Sequence, residues 1–320
     1  MDMKLPKGKA ILDNAQLQFV NFENVLHAGK RERAHKISGY ISIIYPDSVD
    51  LIFLNQGEPF NAARITQNER ALVGIKEVVD RARKADSGII SSYAVDPALL
   101  DMILATLTQK PIKANIDTAR IEPKTLLDRL GHTKFNGFLW VRLNVDESFI
   151  RFEEGNMVGC YLGGRAGNLD DEEKILEFLA HPHLKISVFD KMPQVAVSQA
   201  TPSQLEMFIK VFTALHKEFG KALGAALVLR TSMIAKETSQ REHSFLANFK
   251  INSDLSVVGE ALVEPLVLIK GFARWLDLIY ESFSTFLGKD ATKIVQEAIK
   301  DYRFALKAAK FFEHTKWKLE

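Results

Sequence analysis

Hydrophobic and polar positions alternate in two separate stretches of the chain, and the two stretches match. Residues 39–64 read GYISIIYPDSVDLIFLNQGEPFNAAR, and residues 137–162 read GFLWVRLNVDESFIRFEEGNMVGCYL. A gapless offset carries Gly39 onto Gly137, Ile52 onto Ile150 and Gly57 onto Gly155. In the first strand of each copy Ile41, Ile43 and Tyr45 share a face, as do Leu139, Val141 and Leu143, because successive side chains of a strand point to opposite sides. The second strand sets Ile52 and Leu54 against Ile150 and Phe152. A turn follows each, Asn55-Gln56-Gly57-Glu58 and Glu153-Glu154-Gly155-Asn156, with glycine where a positive φ is needed. Third strands begin at Pro59–Ala63 and Met157–Leu162. Each copy therefore predicts a three-stranded antiparallel meander.

The flanks repeat as well. Helical spacing precedes each meander, through Phe19, Phe22, Val25 and Leu26 and through Leu126, Leu127 and Leu130. A helix follows each, over Asn68–Ala85 and Asp170–Ala180. Short apolar strands come next, Gly88–Tyr93 and Leu184–Phe189. Each is followed by a capped helix start with proline at its first position, Asp96-Pro97 and Thr201-Pro202. From about Lys221 strand patterns vanish. Helices are expected over Leu223–Lys236, over Leu255–Leu287 with breaks at Pro265 and Gly271, and over Asp290–Phe312. Glu237–Asp254 reads as a polar loop. The expected fold is α+β: two tandem copies of a helix/antiparallel-meander/helix unit, over residues 1–112 and 113–220, followed by an all-helical C-terminal region over 221–320.

A chain of 320 residues with 47% hydrophobic and 26% charged residues is long enough to bury a core without disulfides. Cys160 stands alone, which predicts a reducing, cytoplasmic setting and excludes cysteine-rich zinc sites. The formal net charge of +2 argues against a field that attracts polyanions over the whole molecule. The first ten residues hold three lysines and no apolar core of a signal peptide. The apolar stretch Val257–Leu287 is interrupted by Glu260, Glu264, Lys270, Arg274, Asp277 and Glu281, so no transmembrane segment is expected.

The repeat resembles the prokaryotic PATAN-type modules through Gly39, Phe53-Leu54, Gly57-Glu58 and Ala62-Ala63, and through Gly137, Phe152, Gly155 and Gly163. The resemblance covers the first two thirds of the chain. It implies a non-catalytic module of signalling or regulatory assemblies and carries over no catalytic residue.

The candidate chemistry is sparse. Gly163-Gly164-Arg165-Ala166-Gly167 lacks the lysine and serine of a phosphate loop, and acidic residues follow it, so it reads as a strand-to-helix turn. His181-Pro182-His183 offers no obvious third metal ligand and reads as a surface turn. Glu153-Glu154 reads as a hairpin tip. Cys160 aligns with Ala62 and reads as a small core residue. No catalytic residue, metal site or cofactor is expected. Trp140 and Arg142 fall on the outward face of their strand, opposite Leu139 and Val141, where the first copy has Ser42 and Ile44. An aromatic beside an arginine there is a candidate ligand-binding pair. Two basic patches are candidate contact surfaces: the loop residues Lys30, Arg31, Arg33 and Lys36, specific to the first copy, and the helix stripe Lys300, Arg303, Lys307 and Lys310. The favoured reading is a non-catalytic regulatory or scaffold protein acting through a protein partner or homo-oligomer, with Val257–Leu287 as an apolar interface and nucleic acid a less favoured partner. The alternative is a small-molecule or nucleotide sensor with a pocket between the two copies.

Overall fold

The computed structural model describes residues 3–22, 24–26, 37–120, 122–192 and 198–316. The chain forms two compact units, Met1–Val197 and Ser198–Glu320. The fold class is α+β with a helical C-terminal region, as the pattern predicts. The units part before the long helix at Thr201-Pro202, so the helix assigned to the end of the second copy (113–220) belongs to the C-terminal unit.

In the first unit both meanders form where the alternation places them. The first copy contributes β1 (Lys9–Gln16), β2 (Gly39–Ile44), β3 (Ser48–Asn55), β4 (Glu58–Thr66), β5 (Arg70–Leu72) and β6 (Ile89–Ala94), and the second β7 (Lys113–Asp117), β8 (Gly137–Leu143), β9 (Asp146–Glu153), β10 (Asn156–Tyr161) and β11 (Lys185–Phe189). The spatial orders, β1-β6-β2-β3-β4-β5 and β7-β11-β8-β9-β10, are the same apart from β5. Both hairpin tips use the same turn, with Gln56-Gly57 at φ 51° and 79° and Glu154-Gly155 at φ 48° and 82°. These are the two left-handed central residues of a type I′ hairpin.

Edge strands β1 and β7 extend the repeat beyond what alternation shows. Each bulges at a left-handed asparagine, Asn14 (φ 51°) and Asn115 (φ 54°). The backbone N–H of Asn14 donates to Ser91 Oγ (3.0 Å) and that of Asn115 to Ser187 Oγ (3.2 Å). The same unusual backbone device in the same place in both copies is strong structural evidence of duplication.

Both faces of each sheet are buried. Ile41, Ile43, Ile52 and Leu54 pack on α1 (Ile75–Lys84), and Leu139, Val141, Ile150 and Phe152 pack with α3 (Pro123–His132) and α4 (Glu172–Leu179). The opposite faces, including Tyr40, Phe53, Tyr93, Phe138, Trp140 and Phe149, share one core with α2 (Pro97–Thr108). Asp96 Oδ1 accepts the Ala98 N–H to cap that helix (2.8 Å). The expected helix over Asn68–Ala85 begins only at Ile75, because residues 70–72 form β5 against β4.

In the C-terminal unit α5 (Pro202–Leu223) starts with a capping box between Thr201 and Gln204. Gly224 separates it from α6 (Ala225–Gln240), so helix continues into the expected polar loop. A two-residue ladder, β12 (Lys250–Ile251) with β13 (Val257–Val258), follows. Helix α7 (Pro265–Leu287) runs unbroken. Pro265 lies in its first turn, where the missing N–H costs nothing. Gly271 leaves room for the Phe245 ring, which a Cβ would meet at 2.5 Å. The expected single helix over Asp290–Phe312 is divided into α8 (Asp290–Ile299), a 3₁₀ turn over Lys300–Tyr302, and α9 (Arg303–Ala308). The stretch Val257–Leu287 supplies much of this core, with Leu268, Phe272, Trp275, Leu276, Ile279 and Phe283 fully buried, and also carries exposed apolar side chains at Leu262, Leu266, Val267 and Phe286.

His216 sits in that core with ring centroids 6.2 Å from Phe212 and 5.8 Å from Trp275. Burial pushes its imidazolium down to about 4, and the backbone at Leu255 opposes only part of the shift. The unfolded chain takes that proton near pH 6.5 and the folded chain only near 4. Stability is therefore full above pH 6.5 and falls as pH drops toward 4, by about 3 kcal/mol for this group. Urea unfolding followed by helical circular dichroism at pH 7.5 and pH 4.5 should show this loss, and His216→Phe should remove most of it. An identical pH dependence in the variant would assign the loss to other groups.

Candidate functional site

Trp140 occupies the centre of β8, on the strand face opposite Leu139 and Val141, as alternation requires. That face is not open. It belongs to the core shared by the two sheets, and Trp140 is 8% exposed. The indole N–H donates to Glu147 Oε2 (3.1 Å). Glu147 stands on β9 directly across from Arg142 and is itself 6% exposed. Its carboxylate is held by Arg70 from β5 of the first copy, through a bidentate pair that includes Nη2 to Oε2 at 3.1 Å. The Arg70 guanidinium lies 4.7 Å from the Trp140 ring centroid and that of Arg142 lies 4.4 Å from it. Two guanidiniums on one indole, with a carboxylate on the indole N–H, form a charged seam between the copies. Guanidinium suits this position because its planar fork matches a carboxylate and stacks on a ring.

Arg142 is half-buried and donates to Asn115 Oδ1, at the bulge of β7. Burial lowers its pKa from the ordinary arginine value; Glu147 opposes that shift and Arg70 adds to it. The pair singled out from sequence therefore does come together, but it meets protein groups: Trp140 and Arg142 are the inner wall of a sheet-to-sheet seam. Sequence reasoning missed Arg70, which it placed in a helix, and Glu147. The visible signal for Glu147 was a charge on the same strand face as Phe149, where the first copy has Val49.

The glycine run is explained by a strap from the N-terminus. The Gly164 N–H donates to Leu5 O (3.0 Å), the Gly167 N–H to Lys7 O (3.2 Å), and the Lys7 N–H to Arg165 O (2.8 Å). A Cβ at Gly163 would lie 2.9 Å from Lys4 O. The turn thus holds backbone, not phosphate. Cys160 lines a cavity of about 580 Å³ with His132 and Asp170, but burial, with Asp170 adding to it, pushes its thiol up to about 12. A thiol in that state is a poor nucleophile at neutral pH. His181 and His183 are exposed, and the His181 ring contacts Pro182 O.

The basic loop residues Lys30, Arg31, Arg33 and Lys36 lie outside the described residues. Lys300, Arg303, Lys307 and Lys310 are exposed, yet they do not form one helical stripe. Lys300 is in the 3₁₀ turn, Arg303 and Lys307 are on α9, and Lys310 follows with φ 57°. The four therefore lie along a 3₁₀ turn, a short helix and the turn after it instead of on a single α-helix. A different surface stands out on α6, which buries Val228, Ser232, Ala235 and Ser239 and exposes Leu227, Arg230, Met233, Ile234 and Glu237 on the other side. No helix among the described residues is long and apolar enough to cross a membrane. Comparison of the chain with known protein families, curated proteins and solved structures finds no match.

Removing one side of a buried ion pair strands the other in the core, a loss of about 3–5 kcal/mol. Arg70→Ala and Glu147→Ala should each lose that much, read as hydrogen-exchange protection of the β8 and β9 amides. The double variant Arg70→Met/Glu147→Leu should lose clearly less than the two singles combined. Losses below about 1 kcal/mol for either single, the range of exposed pairs, would show that the seam does not hold the copies.

Proposed function

We propose that this protein is a non-catalytic scaffold or regulatory protein that acts through protein–protein contacts, and that its first contact is with a second copy of itself through α6. The observation that carries this reading is the exposed face of that helix. Ile234 is 57% exposed, Met233 44% and Leu227 40%, on a helix whose other face is already buried in the bundle. A helix apolar on two sides has a second surface to cover. Arg230 and Glu237 flank Met233 and Ile234 at equal distances in sequence, and neither is in an ion pair among the described residues. An antiparallel second copy, related by a two-fold axis passing between Met233 and Ile234, sets Arg230 against Glu237 of the other chain at both ends. That self-complementarity is what an isologous interface requires. The resemblance to PATAN-type modules agrees with a role in assembly.

Sedimentation and native mass spectrometry should give a dimer. Ile234→Glu should yield a monomer with unchanged helical content. Arg230→Glu and Glu237→Arg should each weaken association at least about ten-fold, from like charges meeting at both ends, and the double swap should restore it. A monomeric parent protein, or a double swap no tighter than the singles, would reject the arrangement.

A further inference from the structure

The two copies carry the same backbone but fill their inner faces differently. Where the second copy has Trp140, Arg142 and Glu147, the first has Ser42, Ile44 and Val49, at matching ladder positions. Both keep the same floor, a left-handed asparagine whose N–H donates to a serine on the neighbouring strand: Asn14 with Ser91, and Asn115 with Ser187. In the second copy the indole stands beside Ser187 across the ladder and Arg142 reaches Asn115. In the first copy the small side chains leave that space open, as a cavity of about 280 Å³ lined by Asn14, Ser42 and Ser91.

We propose that this cavity of the first copy is a binding site for a small planar aromatic anion, which occupies the place that the second copy fills with its own side chains. Its size equals roughly nine water molecules at about 30 Å³ each, room for one or two rings. Its walls include Tyr40 and Tyr93, whose ring centroids are 5.6 Å apart and whose planes are tilted by 53°. Ile44 and Val49 add apolar surface, and the Ser42 hydroxyl is uncommitted among the described residues. The wall thus joins apolar and aromatic surface to polar groups that can fix a ligand's orientation. Lys4 and Lys7 of the N-terminal strap also line the cavity. Lys7 is engaged, 3.4 Å from Asp13 Oδ1 and over the Tyr93 ring. Lys4 is exposed and has no ion pair among the described residues, which leaves its ammonium for an acidic substituent.

The test is isothermal titration calorimetry with ligand-observed saturation-transfer NMR on the full chain, with indole-3-carboxylate, neutral indole and inorganic phosphate as probes. Indole-3-carboxylate should bind one-to-one, neutral indole at least about ten-fold more weakly, and phosphate alone not at all. Ser42→Trp, which installs the second copy's residue, should abolish binding while the protein stays folded, and Ile44→Phe offers a second way to fill the space. Lys4→Glu should weaken binding at least about ten-fold. Failure of indole-3-carboxylate to bind the parent chain would overturn the proposal, as would unchanged binding in both filled variants. Equal affinity for indole and its carboxylate, with no effect of Lys4→Glu, would overturn the anionic class.

Discussion

Glu147 is a buried acidic side chain in a wall of aromatic residues, and the first unit is arranged around satisfying it. Taking a carboxylate out of water costs several kcal/mol unless opposite charge and hydrogen bonds meet it in good geometry. The indole N–H of Trp140 supplies one bond within the second copy, and the Arg70 fork supplies the charge from the first. Arg70 reaches it only because residues 70–72 are extended beside β4 instead of helical. Its Nη2 also approaches Thr106 of α2 (3.4 Å), so strand, helix and both copies converge on one carboxylate. A seam of this kind is a weak source of net stability against an apolar alternative, but it tolerates only one register, which fixes how the two sheets face each other.

The first copy has its own buried carboxylate on the opposite face. Asp50 is fully buried and accepts two bonds from Arg64 (2.7 and 2.9 Å) and two longer ones from Arg81 (3.3 Å). The Arg81 guanidinium also lies 3.9 Å from the Tyr45 ring. The second copy has Ser148 and Leu162 at the matching positions. Each copy thus spends its buried charge on a different side: the first pins α1 to its sheet, and the second joins the sheets. Duplication supplied one backbone, and the substitutions divided its two faces between structural locking and an open hollow.

Legibility in the sequence follows the same physics. The meanders, their turns and the proline-started helices could be read because period-two alternation and glycine turns are local signals. Strands β1 and β7 could not, because each is interrupted by a bulge, is exposed along much of its length and gains its hydrogen bonds from a distant partner. Alternation set Trp140 opposite Leu139 and Val141, but the reading of that face as outward fails because it lies in the core shared by the two sheets; the period reports sidedness, and tertiary packing decides burial. The same limit explains the C-terminal stripe. The helical period continues through Lys300–Tyr302, while the backbone there tightens to 3₁₀ and divides the expected helix. Arg70 was hidden because Leu72 fits the spacing of Ile75, Val78 and Val79, so a strand residue passed as the first turn of a helix.

The helical unit gives one helix two unlike faces. Helix α7 brings large side chains to the bundle: the Trp275 indole N–H donates to Ser232 O (3.3 Å), and Gly271 O accepts the Ser239 hydroxyl (3.3 Å). Helix α6 answers with small residues, Ser232, Ala235 and Ser239, which let the two backbones approach. Leu227, Met233 and Ile234 are then left exposed on the far side. With a formal net charge of only +2 over 320 residues, little long-range repulsion opposes two copies meeting there. In the proposed dimer, the local pattern of Arg230 and Glu237 around Met233 and Ile234 sets the orientation of the two copies.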